Sequence, residues 1–94
     1  MKITNVKINL MPHQDPLKAF ASITIDDCFV VHDLRVIKTE NKLFVAMPSK
    51  KIKDEPGGKN IHKDIAHPIN QTTRQDIEKA VIEEYHNIIK QMSE

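Results

Sequence analysis

Polar and apolar positions alternate through the first part of the chain, and the period changes near its end. In "MKITNVKINL", Val6, Ile8 and Leu10 share one face while Lys7 and Asn9 take the other, which predicts a half-buried strand over residues 2–10. Ile3 is out of phase, the mark of a bulge or a two-sided start. "MPHQDP" has two prolines in six residues and reads as a loop. A second strand is predicted over 17–26, with Ala19, Ala21, Ile23 and Ile25 on one face and Phe20, Ser22 and Thr24 on the other. Asp26 and Asp27 then signal a turn. "FVVHDLRVI", 29–37, is rich in β-branched residues and reads as a third strand. Val30, Leu34 and Ile37 also fit a helical stripe with Asp27 as its N-cap; the strand is the favoured reading. "KTENK" has the length of a hairpin connection, and 43–47 forms a short strand that is apolar on both faces.

Residues 48–71 contain Pro48, Pro56, Gly57, Gly58 and Pro68 and show little periodicity, so they are expected to form one long loop with "EPGG" at its tip. From Thr72 onward the spacing turns helical, and a helix is predicted over 73–92. Thr72 with Gln75 makes a capping-box pattern, and Thr73 is the other candidate cap. Ile77, Val81, Tyr85, Ile88 and Met92 recur at three- and four-residue steps. Asp76 and Glu78 fall early and Lys90 late, as the helix dipole prefers. Strands followed by a helix predict an α+β fold: a small antiparallel sheet of about four strands with a long C-terminal helix packed on it.

Ninety-four residues suffice for a single domain with a thin stability margin, and pairing with a second copy is a usual remedy. An apolar fraction of 39% is too high for a disordered chain. With no Trp and only Phe20, Phe29, Phe44 and Tyr85, the composition argues against a base-stacking surface. One cysteine, Cys28, permits no internal disulfide and suits a reducing compartment. The N-terminus lacks an apolar signal core, and no run reaches the ~18 apolar residues of a membrane span. A cytoplasmic protein without membrane attachment is expected.

Net charge is +1, but its distribution is uneven. Residues 1–41 are balanced, residues 42–63 carry six lysines against Asp54 and Glu55, and residues 64–94 are net −3. The lysine-rich segment is the strongest candidate for function. Flexible lysines neutralise phosphates and give salt-dependent binding with little sequence preference. Solvation of a polar loop is the plain alternative. Arg35 and Arg74 are candidates for sharper contacts, since arginine reads bases better than lysine does.

Other chemistry is weakly signalled. His13, His32, His62, His67 and His86 show no helical i, i+4 pair, and "HKDIAH" matches no metal pattern, so no metal or cofactor is expected. His32 is expected to be a sheet residue with a hydrogen-bond partner, His67 a loop tether and Cys28 a bystander thiol. Ser49 beside Lys50 and Lys51 lacks the surroundings of a nucleophile. "GGK" is no phosphate loop, because Lys59 is followed by Asn60.

"MKITNVKINL", "ASITIDDCFVVHDLRVI", "LFVAMPSKK" and "DIAHPIN" followed by "TR…IEKAVIEEYH" resemble the stage V sporulation protein G (SpoVG) family over residues 1 to about 88. The resemblance implies a bacterial cytoplasmic regulator rather than an enzyme, linked to septation during sporulation and, in non-sporulating bacteria, to capsule and virulence genes. It also implies a homodimer that binds DNA, and in some members RNA, with the basic segment after "MPS" carrying much of the contact. In this chain that segment is Lys50, Lys51 and Lys53. Lys59, Lys63 and Arg74 complete the candidate nucleic-acid-binding set. No small-molecule substrate is expected. The alternative is a protein-interaction module that docks another regulator through a sheet edge or the acidic helix face of Glu78, Glu83 and Glu84.

Overall fold

The computed structural model describes residues 1–53, 58 and 60–92; Lys59 and the expected loop tip at 55–57 lie outside the described residues. Four strands form an antiparallel meander in the order β1-β2-β3-β4: β1 (Ile3–Leu10), β2 (Leu17–Ile25), β3 (Phe29–Lys38) and β4 (Leu43–Ala46). A helix, α1 (Gln71–Met92), closes one face, giving the expected α+β arrangement. One part of the expectation is overturned. Residues 48–71 are not a continuous loop, because β5 (Ser49–Lys53) and β6 (Asn60–Asp64) pair as a separate two-stranded hairpin. Lysines mask the alternation of Ile52 and Ile61 that would have signalled it.

Alternation fixes the two faces of the meander. Ala19, Ala21 and Ile23 of β2, Leu34 and Val36 of β3, and Val45 of β4 are buried against Ile77, Val81 and Tyr85 of α1, with Met47 just beyond β4. Ile3, Val6, Ile8 and Leu10 of β1 extend this core. The two fully buried alanines leave room for the helix to lie close over the centre of the sheet. The helical stripe holds from Ile77 to Tyr85; Ile88 is half-buried and Met92 exposed, since the last turn outruns the sheet.

Two bulges carry information. Ile3 pairs with Ile25 and Asn5 with Thr24, so Thr4 is the extra residue expected from the phase of Ile3. Its Oγ1 accepts a hydrogen bond from the Asp27 N–H at 3.0 Å, and the Asp26 carboxylate accepts one from the Lys2 N–H at 2.9 Å. These contacts hold the Asp26–Asp27 turn, where both residues have positive φ, a region aspartate tolerates better than most residues. In β3, Ala21 pairs with Leu34 but Ile23 pairs with Val31, so His32 and Asp33 together oppose Ser22. Asp33 adopts φ 67° to make this bulge. The result keeps Val31, Leu34 and Val36 all on the helix side. Val30 and Ile37, which with Leu34 read as a helical stripe in the sequence, lie on the face opposite Leu34; 29–38 is strand.

The helix begins two residues earlier than expected, at Gln71. Asn70, not Thr72 or Thr73, is the cap: its Oδ1 accepts from the Thr73 N–H at 2.8 Å, and its carbonyl accepts from the Arg74 N–H. Asp76 and Glu78 therefore lie beyond the first turn, which holds no acidic residue, while Lys90 does occupy the last. Glu78 instead reaches the edge of the sheet, where its carboxylate accepts a long 3.5 Å hydrogen bond from the Val45 N–H. Among the described residues, no helix is long and apolar enough to cross a membrane.

Candidate functional site

The register of the β5–β6 hairpin sorts the lysines onto two faces. Lys50 pairs with Lys63 and Ile52 with Ile61, so these four share one side. Ser49 pairs with Asp64 and Lys51 with His62, and Lys53 follows on that same side. Lys50, Lys51, Lys53, His62 and Lys63 are all exposed. Lys50 and Lys63 stand directly opposite each other, an arrangement that costs energy unless a counter-charge lies between them. Lys50, Ile52, Lys63, Asp64 and Ile65 line an open concavity of about 420 Å³.

The other side of the hairpin turns towards the face of the meander that α1 leaves uncovered. Alternation puts Phe20 and Ser22 of β2 and Arg35 of β3 on that face, with Phe20 and Arg35 as register partners. Arg35 Nη2 donates to Ser49 Oγ at 3.0 Å, tying the sheet to the hairpin. Phe20, Asp33, Arg35, Ser49, Lys51 and His62 line a second open concavity of about 410 Å³. Arg74 stands in the first turn of α1 and lines neither concavity. The structure thus brings Lys50 with Lys63 and Lys51 with His62 and Arg35, and leaves Arg74 apart from them. Lys59 is outside the described residues.

The remaining candidates take quiet roles. His32 Nδ1 and Ser22 Oγ share a hydrogen bond of 3.0 Å across β2 and β3, as expected of a sheet histidine. His67 donates from Nδ1 to the Pro68 carbonyl at 3.0 Å, a local tether within its loop. Cys28 is exposed at the end of the Asp26–Asp27 turn. Ser49, drawn beside two lysines in the sequence, is engaged by Arg35. Phe20 was absent from the candidates. Its signal was its place in β2, on the face opposite Ala19 and Ala21.

A third surface is apolar. Met1, Ile23, Ile25, Val31, Leu34, Met47, Pro48 and the Ala66–Pro68 loop line a cleft of about 180 Å³ beside the start of α1. Beside its lining residues the chain exposes large apolar side chains: Ile65 at 66% and Ile69 at 90% flank the Ala66–Pro68 loop, Phe29 at 63% is the register partner of Ile25, and Met1 is open. Exposed apolar residues gathered in this way mark a contact surface more often than singly scattered ones do.

Comparison with known proteins gives a consistent result. The sequence profile of the family described as SpoVG matches residues 1–87. A protein named as septation protein SpoVG from Caldicellulosiruptor bescii is 49% identical over 89 residues, covering 95% of this chain and 96% of the relative. A namesake from Bdellovibrio bacteriovorus is 51% identical over 94 residues, covering 100% of this chain and 82% of the relative. Another from Clostridioides difficile is 45% identical over 91 residues, covering 97% of this chain and 94% of the relative.

Proposed function

The chain belongs to the SpoVG family, and from that premise we propose that it is a septation- and sporulation-linked regulator, a homodimer that binds nucleic acid through the β5–β6 hairpin. The observation that carries this reading is the cross-strand pair of Lys50 and Lys63. A hairpin under no pressure to meet an anion gains by placing opposite charges there. A phosphate between the two ammonium groups turns the repulsion into two attractive contacts, with Lys51 and Lys53 adding charge on the other side of the strand. DNA is the first ligand to test and RNA the second.

Dimerisation doubles the patch. Two linked hairpins meet one duplex with a high effective concentration, so modest lysine contacts sum to useful affinity. The exposed apolar side chains of Ile65, Ile69 and Phe29 support this part of the reading, since a second copy would remove them from water. Of the alternative, docking of another regulator through a sheet edge or the acidic helix face, the helix-face form is weakened by Glu78, whose carboxylate is turned to the Val45 N–H.

Electrophoretic shifts test the proposal. With Lys50, Lys51 and Lys53 changed together to Ala, complexes with both DNA and RNA should weaken by at least tenfold at ~50 mM salt, where phosphate contacts are strongest. Unchanged shifts would remove the hairpin as the contact surface.

A further inference from the structure

The concavity between Phe20, Arg35 and the Lys51–His62 pair differs in chemistry from the outer lysine face, and we infer that it is a pocket for one unpaired nucleotide of a single strand. The inference rests on the nucleic-acid reading of the hairpin and adds a second, chemically distinct contact to it.

Three nitrogen-bearing side chains from three strands converge there. Arg35 comes from β3, Lys51 from β5 and His62 from β6, the last two as register partners. Arg35 keeps further N–H donors beyond the one it gives to Ser49. Ser49 Oγ accepts that bond, so its own O–H remains able to donate into the concavity. This set suits a phosphate. Yet Asp33 also lines the space, held there by the β3 bulge with its φ of 67°. A carboxylate works against a bare phosphate site. It suits a ligand that carries both an anion and N–H or O–H donors, as a nucleotide does in its phosphate and its base amine or sugar hydroxyl.

Phe20 supplies the remaining part. It is half-buried on the helix-free face and lines the concavity beside its register partner Arg35. A ring in that position offers a base a stacking surface, and every base has a π-face to use it. The space of about 410 Å³ lies within the ~300–1,000 Å³ typical of small-ligand sites. A base inside a duplex is stacked on both faces and paired along one edge, so it cannot also lie against Phe20. The pocket therefore distinguishes single strands from duplex, whereas Lys50 and Lys63 on the outer face take phosphates of either.

The test is fluorescence anisotropy of the full chain with a labelled 12-nucleotide single strand, as DNA and as RNA, and with the matched 12-base-pair duplex. Phe20→Leu keeps an apolar side chain but removes the ring; His62→Ala changes an exposed strand position and guards against misfolding of the first variant. Both should weaken single-strand binding by about tenfold, the scale of one lost base–aromatic stack or phosphate contact, and change duplex binding less than twofold. Lys63→Ala should weaken both ligands alike. Single-strand affinity unaltered by Phe20→Leu and His62→Ala, or equal losses on both ligands, would overturn the pocket while leaving the hairpin reading intact. Wild-type protein that binds neither ligand would overturn both.

Discussion

Arg35 on β3 and Ser49 on β5 are joined by a 3.0 Å hydrogen bond, and this contact links the four-stranded meander to the lysine-bearing hairpin. β5 belongs to a separate sheet, so the hairpin depends on such side-chain links to the meander, while the backbone bond from the Ile65 N–H to the Pro48 carbonyl at 2.7 Å closes the base of the hairpin itself. Replacing Arg35 with Ala should therefore loosen the hairpin before it weakens the fold. Hydrogen exchange should speed up in β5 and β6 and stay slow in β2 and β3. The global loss should be about 1 kcal/mol, the value of one partly exposed hydrogen bond.

The Lys50–Lys63 pair predicts opposite signs for stability and binding. Lys63→Glu exchanges a like-charge pair for an opposite one and should stabilise the hairpin by about 0.2–1 kcal/mol. The same change should lower nucleic-acid affinity several-fold. Thermal melts and gel shifts on one variant read both effects. A variant that melts lower and binds as well as wild type would contradict the placement of these residues.

Helix capping by Asn70 is directly checkable. Asn70→Ala should cost about 1 kcal/mol, within the usual 0.5–2 kcal/mol range for a lost N-cap. Thr72→Ala and Thr73→Ala should each cost much less, since neither side chain is the cap. Urea unfolding of the three variants separates the assignments.

Lys18 and Asp15 form an exposed ion pair with N–O distance 2.6 Å beside the start of β2. The hydrogen bond from Lys18, followed by its charge, holds the Asp15 carboxyl below the usual aspartate range, and the reciprocal bond raises Lys18. A depressed carboxyl contributes stability above its unfolded value and loses it as pH falls through the folded one. Stability at neutral pH should therefore keep this contribution, and an NMR titration of Asp15 should return to the ordinary aspartate range in Lys18→Ala.

The meander and helix were legible in the sequence because their core obeys simple periods. Ala19, Ala21 and Ile23 alternate, and Ile77, Val81 and Tyr85 step by four. The β3 bulge blurred that signal: the extra residue at His32–Asp33 turned an alternation into a three-residue step. The β5–β6 hairpin was hidden for a different reason. Its strands bury little, so charge rather than hydrophobic pattern dominates them, and only Ile52 opposite Ile61 records the pairing. The lysines of the candidate site were readable as a cluster, but their division between two faces was not, because it depends on register. Phe20 and Arg35 are separated from Lys51 and His62 in sequence, so only the folded chain brings the four to one concavity.

The central claim is that the hairpin lysines meet phosphates, and its most direct measurement is the salt dependence of duplex binding. The slope of log K against log salt counts phosphate contacts at about 0.9 each on B-DNA. Wild-type protein should show a steep negative slope, and Lys50→Ala with Lys63→Ala, which removes the one phosphate held between them, should make it shallower by about 1 per protomer engaged. A wild-type slope near zero, or a slope that the double substitution leaves unchanged, would contradict the account.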